Sequence, residues 1–129
     1  MDLPFLRPLA PYILSIARII AALTFFTHGS MKLFSWPVAF PYPLTGLLTT
    51  AGVIEVVGGL LLAIGLFSRP VAFILAGLSA FAYFLGHAGG GFFPALNGGE
   101  AAVLFCWLFL IIAAFGPGPI SVDAKLGKA

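Results

Sequence analysis

The chain has 129 residues, of which 61% are hydrophobic and only 8% charged, with a formal net charge of +2. A soluble domain is roughly a quarter charged, so the composition excludes an ordinary soluble fold, and the small charge gives no case for a nucleic-acid partner. Cys106 is the one cysteine, which excludes an internal disulfide, a C-x-x-C redox pair and a cysteine-rich metal site.

A mean hydropathy of +1.15 points to an integral membrane protein. A spanning helix needs about 20 mostly apolar residues. The length therefore admits four spans and leaves no room for a separate soluble domain. The expected fold is all-α, an integral membrane four-helix bundle forming a single domain over residues 1–129.

In chain order, the first span is expected over about Leu9–Phe34, after Pro8 and Pro11. It holds Arg18, runs on into THGSMKLF and lacks a small-residue cleavage site, so it does not read as a removable signal. The segment SWPVAFPYP has three prolines that forbid regular helix, and Trp36, Phe40 and Tyr42 suit the headgroup region. The second span is TGLLTTAGVIEVVGGLLLAIGLF, about Thr45–Phe67. The third follows SRP, about Pro70–Gly86, with Pro70 in its first turn. The glycine-rich HAGGGFFPAL leads to the fourth, about Asn97–Phe115, which stops at GPGP.

Basic residues set the expected orientation. Arg7, Arg69, Lys125 and Lys128 fall on one side if both termini are cytoplasmic, and Lys32 alone is left on the other. The expectation is N-in, C-in.

That topology puts His28, Lys32, His87, Asn97 and Glu100 at one membrane level, as a candidate polar site near the outer leaflet. His28 and Lys32 are four apart and share a helix face. Arg18, fourteen before Lys32, falls close to the same stripe. Glu55 sits near the middle of span two, where an ionised group usually faces the protein interior with a partner. Arg18 is the expected counter-ion, giving a buried Arg18–Glu55 pair. Gly52, Glu55 and Gly59 share a face that lets a neighbouring helix approach closely.

Simpler readings stand beside these. Arg18 and Glu55 serve equally well as an assembly lock. Asn97-Gly-Gly-Glu100 has the spacing of a capping box, and a carboxylate in the first turn meets the positive end of the helix dipole. Two histidines at one depth suggest haem or metal, but no third ligand is evident and no metal is expected. Cys106 reads as a small apolar residue.

At HGSMKLF, GVIEVVGGLLLAIGLFSRPVA, NGGEAAVLF and GPGPISVD the sequence resembles the DoxX family of small bacterial four-span membrane proteins. The HG-x-x-KL signature falls on His28, Gly29, Lys32 and Leu33, the span-two glutamate on Glu55, and the NGGE start of span four on Asn97 to Glu100. The family takes its name from a membrane subunit of a thiosulfate:quinone oxidoreductase, and other members are linked to complexes handling thiol or oxidative stress. The resemblance implies a multi-pass inner-membrane subunit or accessory of an oxidoreductase or oxidative-stress assembly, with the lipid bilayer and a membrane complex or homo-oligomer as partners. The lack of paired cysteines and of a soluble redox domain speaks against an enzyme on its own. It carries no settled catalytic residues.

On that reading quinone is the candidate cofactor, with Lys32 and His28 donating to its carbonyl and Glu100 and His87 handling protons. The rivals are an oligomeric small-molecule transporter, with Arg18, Glu55 and the outer cluster lining a polar path, and a purely structural subunit.

Overall fold

The computed structural model describes residues 1–129. It is all helical. A 3-10 helix, Pro4–Leu9, leads into α1 (Ala10–Phe34); then come α2 (Gly46–Ile64), α3 (Ser68–Gly86), the single turn α4 (Pro94–Asn97), α5 (Glu100–Phe115) and the single turn α6 (Val122–Lys125). The first three long helices are each long and apolar enough to cross a membrane, and α5 is a shorter apolar helix. At 16 residues, α5 is ~24 Å long. Together they form a helical membrane bundle.

The spans begin and end close to where the sequence puts them, and the differences have local causes. Thr45 caps α2, its hydroxyl accepting from the Leu48 amide at 3.2 Å. Gly65 closes α2 three residues before the expected end, and α3 starts at Ser68, which puts Pro70 in its first turn. The fourth span begins at Glu100 and not at Asn97, because Gly98 adopts φ +75° and breaks the helix there. Such a backbone suits glycine and costs any residue with a Cβ.

α1 packs mainly along α2, and α3 along α5. The shared core is small: Ala21, Ala22 and Phe25 from α1, Leu62 from α2, Ala72, Leu75 and Ala76 from α3, and Phe109 and Ile112 from α5. Large apolar side chains such as Ile20, Val57, Phe73 and Leu104 point outward instead. In lipid that is the stable arrangement. Apolar side chains lose nothing by facing acyl chains, and helices associate through close packing of small residues and through polar contacts.

The polar contacts concentrate at the end that carries the α2–α3 turn. There the chain beyond α5 doubles back under the bundle. Ser15 Oγ donates to the Pro117 carbonyl at 3.0 Å and accepts from the Ile120 amide at 3.1 Å. Arg18 is completely buried. Its Nε donates to Leu62 O at 2.9 Å, Nη2 to Ile120 O at 2.7 Å and Ala63 O at 3.3 Å, and Nη1 to Pro117 O. Asp123 Oδ1 and Oδ2 accept from the amides of Phe67 and Ser68 at 2.9 and 2.8 Å, and Arg69 Nη1 donates to the last-turn carbonyls of Ala113 and Ala114.

This corrects the expected Arg18–Glu55 pair. Arg18 spends its donors on backbone carbonyls at the C-terminal end of α2 and in the returning tail, and Glu55 is paired elsewhere. Helix ends leave carbonyls without intrahelical partners, and a guanidinium with five donors can satisfy several at once.

Burial alone would raise the Asp123 carboxyl, but the amides of Ser68 and Phe67 and the Arg18 charge together hold it below the usual carboxylate range. A depressed folded-state pKa adds stability above the unfolded value, and that stability disappears as pH falls through the folded value. Thermal unfolding in detergent should therefore show Asp123→Asn less stable at pH 7 by about 1–2 kcal/mol, the size of a lost cap. The gap should close on acidification below about pH 4. A gap that stays constant down to pH 2.5 would contradict the assignment.

Candidate functional site

The central polar contact is built by backbone proximity. A Cβ on Gly29 would lie 2.7 Å from Gly52 O and 2.8 Å from Glu55 Cβ, so α1 and α2 touch main chain to main chain. One turn beyond Gly29 on α1 comes Lys32, and one turn beyond Gly52 on α2 comes Glu55. The helices run antiparallel, so Gly29 lies against Glu55 while a Cβ on Gly52 would meet Lys32 Cβ at 3.2 Å. Lys32 and Glu55 reach each other diagonally across the contact, with Lys32 Nζ 2.7 Å from Glu55 Oε1. Their side chains are only 10% and 6% exposed. Gly52, Glu55 and Gly59 do share the buried face of α2.

Glu55 Oε2 is buried and has no hydrogen-bond partner. Above the pair, the Phe40 ring lies 5.1 Å from Lys32 Nζ, a cation–π distance. Phe40 comes from the proline-rich segment between α1 and α2. That segment is tied at its base by Ser30, whose Oγ donates to Trp36 O at 2.6 Å and whose carbonyl accepts from the Trp36 amide at 3.3 Å.

His28, one turn before Lys32, turns toward α5. Its ring lies 5.9 Å from Phe105, edge to face, and 6.1 Å from Phe25. Phe105 in turn stacks on Phe109 at 5.6 Å. His28 thus borders the ion pair along α1 without bonding to it.

His87 and Asn97 join a second network, between α3 and the turn that leads into α5. Asn97 Nδ2 donates to Tyr83 Oη at 3.1 Å and to Gly91 O at 2.9 Å, and Tyr83 Oη donates to Phe92 O at 2.9 Å. His87 Nδ1 lies 3.2 Å from Asn97 O; a carbonyl only accepts, so this nitrogen carries the hydrogen. The Asn97 side chain accepts from the Gly99 amide at 2.9 Å, closing a turn, and no side chain caps α5. The capping box is not formed, because Glu100 is the first helical residue and lies too early in the helix to reach back. Glu100 is exposed, and neither it nor His87 bonds to Lys32.

The structure thus divides the expected cluster in two. Lys32 gains Glu55, with His28 at its flank; His87 and Asn97 gain Tyr83; Glu100 stands apart. Sequence reasoning missed Tyr83, whose position one turn before His87 was the available signal. It also took Phe40 only for an interface anchor. An open apolar hollow lies beside the second network, lined by Tyr83, Phe84, Gly91, Phe92 and Val103, and brings no charged group.

A bundle of apolar helices with charged groups paired inside defines a helical membrane protein. The family model described as DoxX matches residues 13–88, which include His28, Lys32 and Glu55. A Haemophilus influenzae protein described as uncharacterized is 42% identical over 129 aligned residues, covering 92% of this chain and 93% of its own. The chain belongs to the DoxX family. No solved structure matches it.

The α1–α2 contact can be tested at its glycine. Gly29→Ala forces a Cβ against backbone and should lower stability by about 1–3 kcal/mol, as overpacking does. Gly77→Ala, where a Cβ meets nothing within 4 Å, should be neutral or slightly stabilising, since alanine favours helix. Equal melting temperatures for the two variants in detergent would show that α1 and α2 do not meet this closely.

Proposed function

We propose that the chain is a component of the bacterial inner membrane with both termini cytoplasmic, serving as a membrane subunit or accessory of an oxidoreductase or oxidative-stress assembly and contacting quinone at Lys32 and Glu55. The observation that carries this reading is the buried Lys32–Glu55 pair. Buried ion pairs can often be replaced by apolar side chains without loss of stability, and ionisable groups at membrane depth commonly mark functional sites.

The chemistry suits the role. Lys32 has N–H groups beyond the one given to Glu55 Oε1 and can donate to a carbonyl oxygen. Glu55 replaces Glu100 and His87 as the group placed to exchange a proton, since those two belong to other surroundings. The aromatic rings of Phe25, Phe105 and Phe109 beside His28 offer a flat ring a compatible neighbourhood. The orientation is supported by Arg69, which lies with the returning tail at the end opposite Lys32.

Gentle extraction from native membranes, followed by mass spectrometry of everything retained, tests this directly. The wild-type chain should carry a redox protein and quinone, and the Lys32→Gln/Glu55→Gln variant should lose the quinone while remaining folded. A lone homo-oligomer carrying only lipid would contradict the proposal and favour transport or an architectural role.

A further inference from the structure

We infer that the Lys32–Glu55 site recognises a flat aromatic ring bearing a hydroxyl group, the quinol form in preference to the quinone, and that Phe40 holds the place of that ring until it binds. This rests on the quinone-contact reading above and specifies the redox form the site selects.

The first ground is the unmatched oxygen. Glu55 is 5% exposed, and its Oε2 has no partner while Oε1 is held by Lys32 at 2.7 Å. An ionised carboxylate only accepts hydrogen bonds. Its complement is a donor, and a quinone has none, for both of its oxygens are carbonyls. A ring hydroxyl provides the donor, in a charge-assisted bond of the stronger kind. An amine would also donate, but its positive charge would sit against the Lys32 ammonium.

The second ground is the ring already present. Phe40 places an aromatic face 5.1 Å from the Lys32 ammonium. The chain from Ser35 to Leu44 has no helix, and Phe40 is its least exposed residue. The ring packs edge to face on Tyr42 at 5.6 Å. The segment is fixed at Ser30–Trp36 and at the Thr45 cap, and no hydrogen bond holds it between them. Exchange of Phe40 for a ligand ring keeps the cation–π contact and adds the hydrogen bond that Glu55 Oε2 lacks. An aliphatic alcohol would satisfy the oxygen and forfeit the ring; a quinone, whose ring is electron-poor and not aromatic, would supply neither the donor nor the cation–π face.

The test compares decyl-benzoquinol, kept reduced under argon, with decyl-benzoquinone and the quinol dimethyl ether, titrated calorimetrically into the purified full chain in detergent. The quinol should bind about tenfold more tightly than either, the scale of one hydrogen bond to a charged group. Phe40→Ala, which removes the competing ring, should tighten quinol binding. Glu55→Gln, which can turn a donor toward the ligand, should abolish the preference, with its melting temperature confirming the fold. Equal affinity for quinol and quinone in the wild-type chain overturns the inference and leaves the quinone-contact reading standing. Binding of neither overturns both. Weaker quinol binding by Phe40→Ala shows that Phe40 assists the ligand and does not stand in for it, and overturns that part of the assignment.

Discussion

A carboxylate buried among apolar helices has to be neutralised by something close by, and for Glu55 the neighbour is Lys32 at 2.7 Å. The contact needs α1 and α2 to touch main chain to main chain, which they do where Gly29 lies against the Gly52 carbonyl. The approach in turn fixes how far α1 is slid along α2. Once that register is set, His28 falls beside the α5 aromatics, and the segment from Ser35 to Leu44 must fold back over the pair, carrying Phe40 onto Lys32. The arrangement of the candidate site is a consequence of one helix–helix contact.

The two basic residues of α1 divide the work between the ends of the bundle. Fourteen residues, or ~21 Å of helix, separate Arg18 from Lys32. The lysine, a compact point charge, answers a single carboxylate. The arginine gathers the carbonyls of Leu62, Ala63, Pro117 and Ile120, a task that needs a fork of donors. With Ser15 and Asp123 it fastens the returning tail beneath the α2–α3 turn. That end reads as structural, for its buried hydrogen-bonding groups are nearly all matched; Ser68 Oγ is the exception. At the other end, Glu55 keeps an oxygen free.

Helix positions were legible in the sequence because each rests on local chemistry: apolar runs of spanning length, a threonine cap at Thr45, a glycine-proline stop after Phe115. The buried face of α2 was legible too, since Gly52, Glu55 and Gly59 declare it by spacing. Partner choice was not. Arg18 and Lys32 lie near the same stripe of α1, and nothing in the spacing states which of them Glu55 meets; that depends on the slide between helices, set by atoms of both at Gly29. The outer cluster failed for a related reason. Its members do share one end of the bundle, but α1 packs on α2 and α3 on α5, so residues at one level were drawn to different partners. Asp123 went unnoticed because its role, accepting the first amides of a helix some 55 residues away in sequence, leaves no local pattern.

The most direct test of this account is a double-mutant cycle on Lys32→Gln and Glu55→Gln, read by reversible unfolding in detergent, with Arg18→Gln/Glu55→Gln as the reference cycle. Residues in contact couple by about 0.5–3 kcal/mol, whereas distant ones add to within about 0.5 kcal/mol. The structure requires coupling in the lysine cycle and additivity in the arginine cycle. Coupling of Glu55 to Arg18, with additivity toward Lys32, would contradict the helix register on which the site depends.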